Sequence, residues 1–200
     1  MSGAAELAPG LWHWSVPHDR IGIDVDSYYL AGERVLLDPM LPPSGLDWFE
    51  ERGTPEHILL TNRHHDRQAW QLRDAFGCTV HCIRNGVHEL EGRGPVEPFD
   101  AGDELPGGIV AYEVGAICPD ETALHVPARR ALACADGVVR FGAGGGLRFV
   151  PDAYMDEPEH TKAGLRDAYR SLLGLDFDLL LLAHGGPVAG GKDALCAFAG

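Results

Sequence analysis

Short apolar runs bounded by turn-forming residues recur along the chain and predict most of its β-strands. Residues 11–16 alternate apolar and polar side chains, as expected for a strand with one buried face. Residues 27–30 and 34–38 flank Gly32 and predict a hairpin that ends on the carboxylate of Asp38. Further strands are predicted at 58–60, 79–82, 109–114, 122–126, 131–134 and 178–182.

Segments with helical spacing of apolar residues lie between these strands. Ala69, Leu72 and Phe76 recur at intervals of three and four, and Gly77 is placed to end that helix. Other helices are predicted between residues 42 and 53, over 162–173 and from about 193, with loops at 91–108 and 142–146. Strands interspersed with helices indicate an α/β layered fold, although periodicity alone does not choose its topology.

Length and composition favour one globular domain over residues 1–200. The hydrophobic content of 45% is sufficient for a substantial core, and no apolar run approaches the length of a membrane span. The first residues lack both a basic start and an apolar signal core. We therefore expect a cytoplasmic protein with no membrane partner.

The chain is strongly acidic, with a formal net charge of −14. Binding to phosphate backbones depends on clustered Lys and Arg, so this charge argues against nucleic acid as a partner and is best read as promoting solubility. The five cysteines are odd in number, and the Cys78–Cys82 spacing within a strand-like segment is a poor match to a zinc ribbon. Buried, reduced thiols are predicted instead.

The residues after the predicted strand at 58–60 carry the most specific pattern in the chain. Residues 60–67 read Leu-Thr-Asn-Arg-His-His-Asp-Arg. This stretch resembles the signature of the metallo-β-lactamase-fold hydrolases, in which a buried strand ends in Thr-His-x-His-x-Asp-His. The pattern keeps His64 and Asp66, but it places Asn62 and Arg67 where that family has metal-binding histidines.

Three later segments extend the resemblance over nearly the whole chain. Residues 116–124, anchored by Pro119, are similar to a family segment that supplies a histidine ligand, and Ile117 falls on the ligand position. Asp136 matches an aspartate that bridges two metals, and His184 matches the final histidine ligand. The resemblance implies an αββα sandwich: two mixed sheets face to face, with helices on the outside.

The first metal site implied by the resemblance retains too few ligands. Only His64 and Asp136 remain there, because Asn62 and Ile117 occupy the other positions. Catalytic zinc generally takes three protein ligands, so we expect this site to be empty.

The second implied site keeps Asp66, Asp136 and His184, while Arg67 replaces a histidine. A guanidinium stays protonated and cannot bind a metal. We therefore expect Arg67 to stand in for the metal by pairing with Asp66 or Asp136. No tightly bound cofactor is the prediction, and a single divalent metal, zinc above all, is the alternative.

His65 is an extra imidazole within the motif. It could act with Asp66 as a general base, ligate a metal through a rearranged backbone, or be a partly exposed side chain bonded to a carbonyl. Asp38 lies near the position of a family aspartate that orients a histidine, and it is expected to bond backbone amides or Arg67.

Two functions follow from the resemblance. The first is a divergent hydrolase acting on an ester, thioester or similar carbonyl. The second is a non-catalytic descendant whose cleft binds a small molecule or a protein, and the degenerate ligand set favours it on mechanism. Redox chemistry at a di-iron centre would need the full ligand set. The sequence does not indicate the ligand's identity or the oligomeric state.

Overall fold

The computed structural model describes residues 3–142 and 144–200 and contains two β-sheets packed against each other. The strands are β1 Ala5–Ala8, β2 Leu11–His18, β3 Ile23–Leu30, β4 Val35–Leu37, β5 His57–Leu59, β6 Thr79–Ile83, β7 Glu97–Phe99, β8 Glu104–Leu105, β9 Ile109–Glu113, β10 Thr122–Val126, β11 Ala131–Cys134, β12 Val139–Arg140, β13 Leu147–Arg148, β14 Leu179–Leu182 and β15 Pro187–Ala189. The α-helices are α1 Ala69–Phe76, α2 Pro158–Leu172 and α3 Gly191–Ala199.

Both large sheets are mixed. The first runs in chain order from β1 to β7, with its first three pairings antiparallel and its last three parallel. The second has the order β15-β14-β11-β10-β9-β8, and only the β11–β14 pairing is parallel. Strands β12 and β13 form a separate hairpin.

Alternate residues of the second sheet bury against opposite layers, which defines the sandwich. Ala133 and Leu181 belong to the apolar cluster shared with the first sheet. Their neighbours Leu132 and Leu180 belong to a second cluster with Leu165 of α2. Because successive side chains of a strand point to opposite faces, one face meets the other sheet and the other meets the helices. The predicted αββα arrangement is confirmed.

Most predicted elements are present, with differences where the local signals were weak. Helix α1 ends at Gly77, whose φ of 74° is the left-handed conformation expected of a terminating glycine. The helix predicted between residues 42 and 53 is only a single 3-10 turn, Leu46–Phe49. The segment predicted as a loop over 91–108 contains β7 and β8, because the buried side chains of Phe99 and Leu105 hold it to the sheets. In the predicted loop at 142–146, residue 143 lies outside the described residues.

Within the described part of the chain, no helix combines the length and the apolar character needed to cross a bilayer.

Candidate functional site

Polar side chains from four strand ends meet at one edge of the sandwich. Asp38 directly follows β4, Thr61 follows β5, Asp136 follows β11 and His184 follows β14. β4 and β5 are parallel, as are β11 and β14, so within each pair the carboxyl ends emerge on the same side. The carboxyl edge of parallel strands is a common position for ligand sites in layered α/β folds.

Asp38 fixes the start of the motif turn. Its Oδ1 accepts a hydrogen bond from the amide of Thr61 at 2.8 Å, and its Oδ2 accepts one from the Thr61 hydroxyl at 2.6 Å. The Nδ1 of His65 lies 2.9 Å from the same Oδ2. The prediction that Asp38 bonds a backbone amide is confirmed, and its carboxylate also orients His65. His65 is buried between carboxylates and is therefore neither partly exposed nor bonded to a carbonyl.

Asp136 is the junction of the cluster. Its Oδ1 lies 3.2 Å from Nε2 of His65 and 3.1 Å from Nε2 of His184, while its Oδ2 accepts a bond from the Asn62 amide at 3.0 Å. Asn62 also caps the following turn by accepting from the amide of His64 at 2.9 Å. The side chain of Asp136 is 27% exposed, so it faces open space beside the buried imidazole of His65.

The charges in this cluster stabilise one another. Burial alone would lower the pKa of His65, but the carboxylates of Asp136 and Asp38 outweigh it and raise the pKa to about 9. Burial would raise the pKa of Asp136, yet the neighbouring imidazoles of His65 and His184 hold it well below its ordinary value. The arrangement near neutral pH is an imidazolium between two carboxylates.

Arg67 does not contact Asp66 or Asp136 directly, which corrects the expected pairing. Its Nη1 donates to the backbone carbonyls of Asp26 at 2.7 Å and Asp38 at 2.8 Å, and its Nη2 donates to that of Ala183 at 3.3 Å. These carbonyls belong to both sheets, so the guanidinium ties the sheets together. Arg67 has a φ of 38°, a left-handed conformation that directs its side chain inward at some cost in backbone strain.

The structure separates the remaining predicted residues from the cluster. Asp66 is buried but turned away, where Oδ2 accepts from Nε1 of Trp70 at 2.8 Å and pairs with Arg93 at 2.5 Å. His64 is exposed, and both His64 and Ile117 line the adjoining cavity. Of the retained family positions, Asp136 and His184 come together, and His65 rather than His64 or Asp66 completes the group.

Asp26 is a site residue that the sequence interpretation missed. Its Oδ2 accepts from the amides of Gly185 and Gly186, each at 2.8 Å, and its Oδ1 lies 2.7 Å from Nε2 of His13. The φ of Gly185 is 105°, and a Cβ there would collide with the Arg140 carbonyl, so only glycine fits beside His184. Asp26 directly precedes the predicted strand at 27–30, and the only signal available in the sequence was this position at a strand end.

Glu121 is a second missed group, buried behind Asp136. Its Oε1 accepts from the amide of Gly137 at 2.7 Å and from the hydroxyl of Tyr169 at 3.3 Å, while Oε2 has no partner among the described residues. Burial, reinforced by the charge of Asp136, raises its pKa from 4.5 to about 8. Glu121 is therefore mainly protonated at neutral pH.

We expect Glu121→Gln to remove a pH-dependent loss of stability. Because the folded state keeps a proton that the unfolded chain releases near pH 4.5, wild-type stability falls as the pH rises towards 8. The variant should match wild type at pH 4 and exceed it by about 1–3 kcal/mol at pH 8. Urea unfolding across this pH range measures the difference, with the exposed Glu91→Gln as control. A difference that stays constant with pH would show that Glu121 is ionised when folded.

A cavity of about 550 Å³ opens above this cluster. We call it the cleft: its floor includes His65, Asp136 and His184, and its rim carries the four large exposed apolar side chains Ile21, Ile23, Phe141 and Tyr154. Its volume lies within the range of small-molecule sites.

The donor set at the cleft floor does not fit a binuclear metal centre. Asn62, Arg67 and Ile117 are the residues that the motif resemblance places at ligand positions, and neither a guanidinium nor an alkyl group can bind a metal. The atoms of His65, Asp136 and His184 lie within 4.8 Å of one another and fit a single ion by type and number. Binding an ion would require His65 to give up its proton.

The chain resembles solved structures of the metallo-β-lactamase fold. The metal-soaked flavodiiron core of Flv1 from Synechocystis sp. PCC6803 is 13% identical, with a TM-score of 0.73 over 98% of this chain and 59% of its own. A metallo-beta-lactamase family protein from Thermus thermophilus is 18% identical, with a TM-score of 0.69 over 97% and 79%. A B3 metallo-beta-lactamase with an active-site glutamic acid is 18% identical, with a TM-score of 0.64 over 100% and 86%.

The chain has the metallo-β-lactamase fold, as its motifs predict. It spans about three fifths of the flavodiiron core that it resembles. No model of a protein family and no curated protein sequence matches the chain. At these identities the likeness establishes the fold, while the chemistry depends on the residues of the cleft.

Proposed function

We propose that this protein is a non-catalytic or weakly catalytic descendant of the metallo-β-lactamase fold whose cleft binds a small organic molecule. The observation that carries the proposal is the self-sufficient bonding of the cleft floor. His65 is bonded by a carboxylate on each side, and Arg67 donates to three backbone carbonyls, so the protein's own groups hold both side chains. Bonding of this kind makes a polar network rigid and specifies one arrangement of the surrounding loops, although Nδ1 of His184 has no partner among the described residues.

The shape of the cleft supports ligand binding. A cavity of this size with a mainly apolar rim and a few convergent polar groups is the usual form of a small-molecule site. Asp136 and His184 present polar atoms to it from rigid strand ends, which favours orientation of a ligand's polar group.

Metal analysis tests the proposal directly. Protein purified without chelator is expected to contain well below one metal ion per chain by mass spectrometry, because the partnered floor disfavours metal binding. The double variant Asn62→His/Ile117→His provides a positive control, since it restores histidines that could join His64 in the family's three-histidine set. This variant should retain more zinc than wild type. Near-stoichiometric metal in wild type, lost in Asp136→Ala, would contradict the proposal.

A single-metal or metal-free hydrolase is the second candidate, favoured by the convergence of His65, Asp136 and His184. These three residues would hold the ion, which when bound supplies an activated water with a pKa near ~7. The chain's own contribution would be the orientation of His65 by Asp38.

Activity measurements separate the candidates. Hydrolysis of generic esters or thioesters that is abolished by His65→Ala would support the hydrolase. Such activity must be unaffected by Asp66→Asn, since Asp66 faces Trp70 and Arg93 rather than the cleft. Absence of hydrolysis with and without added zinc, together with saturable ligand binding, supports the binding role.

A further inference from the structure

We infer that the cleft recognises an amphiphile with one anionic head group and an apolar chain or ring system, of which a medium-chain carboxylate is the simplest form. This inference rests on the proposed function, because it assigns a chemical class to the ligand of the same cleft.

The apolar part of the inference follows from where exposed hydrophobic groups lie. Among the described residues, the only large hydrophobic side chains classed as exposed are Ile21, Ile23, Phe141 and Tyr154, and all four border the cleft. Scattered single apolar groups on a surface need no explanation, but their concentration around one cavity indicates a surface that an apolar partner covers. Ile21 and Ile23 are between 46% and 48% exposed, so a chain leaving the cavity would meet them.

The anionic head group is inferred from the charge of the cleft lining, which is opposite in sign to the net charge of the whole chain. The whole chain has 30 acidic side chains against 16 lysines and arginines, yet the cleft is lined by three arginines against a single carboxylate, Asp136. That carboxylate is already bonded by His65, His184 and Asn62. A concave surface lined by one sign of charge concentrates ligands of the opposite sign.

Arg20 is the cation best placed to meet the head group. Arg63 also lines the cleft but is paired with Asp120 and Glu89, and Arg67 is occupied by backbone carbonyls. No ion pair or hydrogen bond to the exposed side chain of Arg20 occurs within residues 3–142 and 144–200. The pKa of the neighbouring His18 is lowered by burial and then by the positive charges of Arg67 and Arg20, which both act at this side of the cleft.

A set of ten-carbon probes tests the inference by isothermal titration calorimetry, below micelle-forming concentrations and with chelator present. Decanoate is expected to bind more tightly than decanol, and decyltrimethylammonium should bind most weakly. Shortening the carboxylate should weaken binding by about fourfold for each buried methylene removed. The chelator ensures that a metal-bridged carboxylate does not contribute.

Variants distinguish the head-group contact from the apolar contact. Arg20→Gln should weaken decanoate about two- to fivefold and leave decanol unchanged, whereas Arg148→Gln, which removes an exposed cation outside the cleft lining, should affect neither. The double variant Ile21→Gln/Ile23→Gln should weaken both probes about tenfold, with Ile21→Leu as its conservative control.

The outcomes separate this inference from the proposed function. Equal binding of decanoate and decyltrimethylammonium, with both weakened by the rim variant, would overturn the anionic class while leaving a ligand-binding cleft. No saturable binding of any probe would overturn the amphiphile class, and stoichiometric metal in wild type would overturn the proposed function independently.

Discussion

Replacing Arg67 by methionine is expected to lower the free energy of unfolding by about 3 kcal/mol, because the substitution removes a charged donor from three backbone carbonyls. The Asp38 carbonyl keeps the Ser27 hydroxyl and the Ala183 carbonyl keeps the Asp26 amide, so the loss is that of the charge-assisted bonds. The carbonyls of Asp26 and Asp38 come from the first sheet and that of Ala183 from the end of β14, so the loss loosens the contact between the sheets at the cleft. Methionine retains much of the apolar stem, which restricts the change mainly to the guanidinium. Urea unfolding monitored by tryptophan fluorescence measures the effect.

Two further variants show whether geometry or charge is responsible at this position. Arg67→Lys keeps the charge but replaces the planar fork by a single ammonium, so we expect an intermediate loss. Arg84→Met is the matched control: it removes an exposed arginine that pairs with the exposed Asp100, and its effect on the unfolding midpoint should be small. A loss at Arg67→Met no larger than this control would show that water and the remaining donors satisfy the three carbonyls equally well.

Asp38→Ala is expected to cost about 3–5 kcal/mol, the range for removing one partner of a buried charged network. The substitution removes the acceptor of the Thr61 amide and hydroxyl and the carboxylate beside Nδ1 of His65, which keeps only the Thr61 hydroxyl oxygen at 2.9 Å. Asp38 also has a φ of 46°, which aspartate tolerates better than alanine. Denaturant unfolding of the variant measures the cost, and a loss below about 1 kcal/mol would contradict the assigned role.

The substitution Asp38→Asn removes the negative charge of this side chain and keeps nearly the same shape. Without the Asp38 charge, the pKa of His65 should fall from about 9 towards its ordinary value of 6.5, a shift that NMR titration of the imidazole detects. A histidine whose pKa is higher in the folded than in the unfolded state contributes to the stability of the protein. This contribution is fully present when the pH is below the unfolded-state pKa, and it is lost as the pH rises through the folded-state pKa. The stability difference between wild type and Asp38→Asn should therefore be largest near pH 6 and shrink through about pH 9.

The side chains of the cleft floor make structural hydrogen bonds of their own. Arg67 and Asn62 stand where the motif resemblance implies ligating histidines. Arg67 bonds carbonyls of both sheets, and Asn62 bonds Asp136 and caps the motif turn. His65 lies between the carboxylates of Asp38 and Asp136. The motif resemblance implies that the first would orient a metal ligand and that the second would bind the metal. The network ties the strand ends of the two sheets together at the cleft floor.

The sequence by itself was sufficient for the nine strands β2–β6, β9–β11 and β14, for the helices α1 and α2, and for the positions of Asp136 and His184 at strand ends. It did not predict β1, β12, β13 or β15. Local hydrophobic spacing and terminating residues such as Gly77 specify these elements, and short motifs in a fixed order supplied the topology. The two short strands within residues 91–108 were missed because their pairing depends on distant partners rather than on a local pattern.

Only the tertiary structure decided which way the motif side chains point. Sequence spacing places His64, His65 and Asp66 at consecutive positions, but the 3-10 turn and the left-handed backbone at Arg67 expose the first, bury the second in the cluster and turn the third towards Trp70. The carboxylate partners of His65 and the carbonyl partners of Arg67 lie 27 to 116 residues away in the chain. Side-chain direction and long-range hydrogen bonding depend on how the two sheets close together, and no local pattern in the amino-acid sequence contains that information.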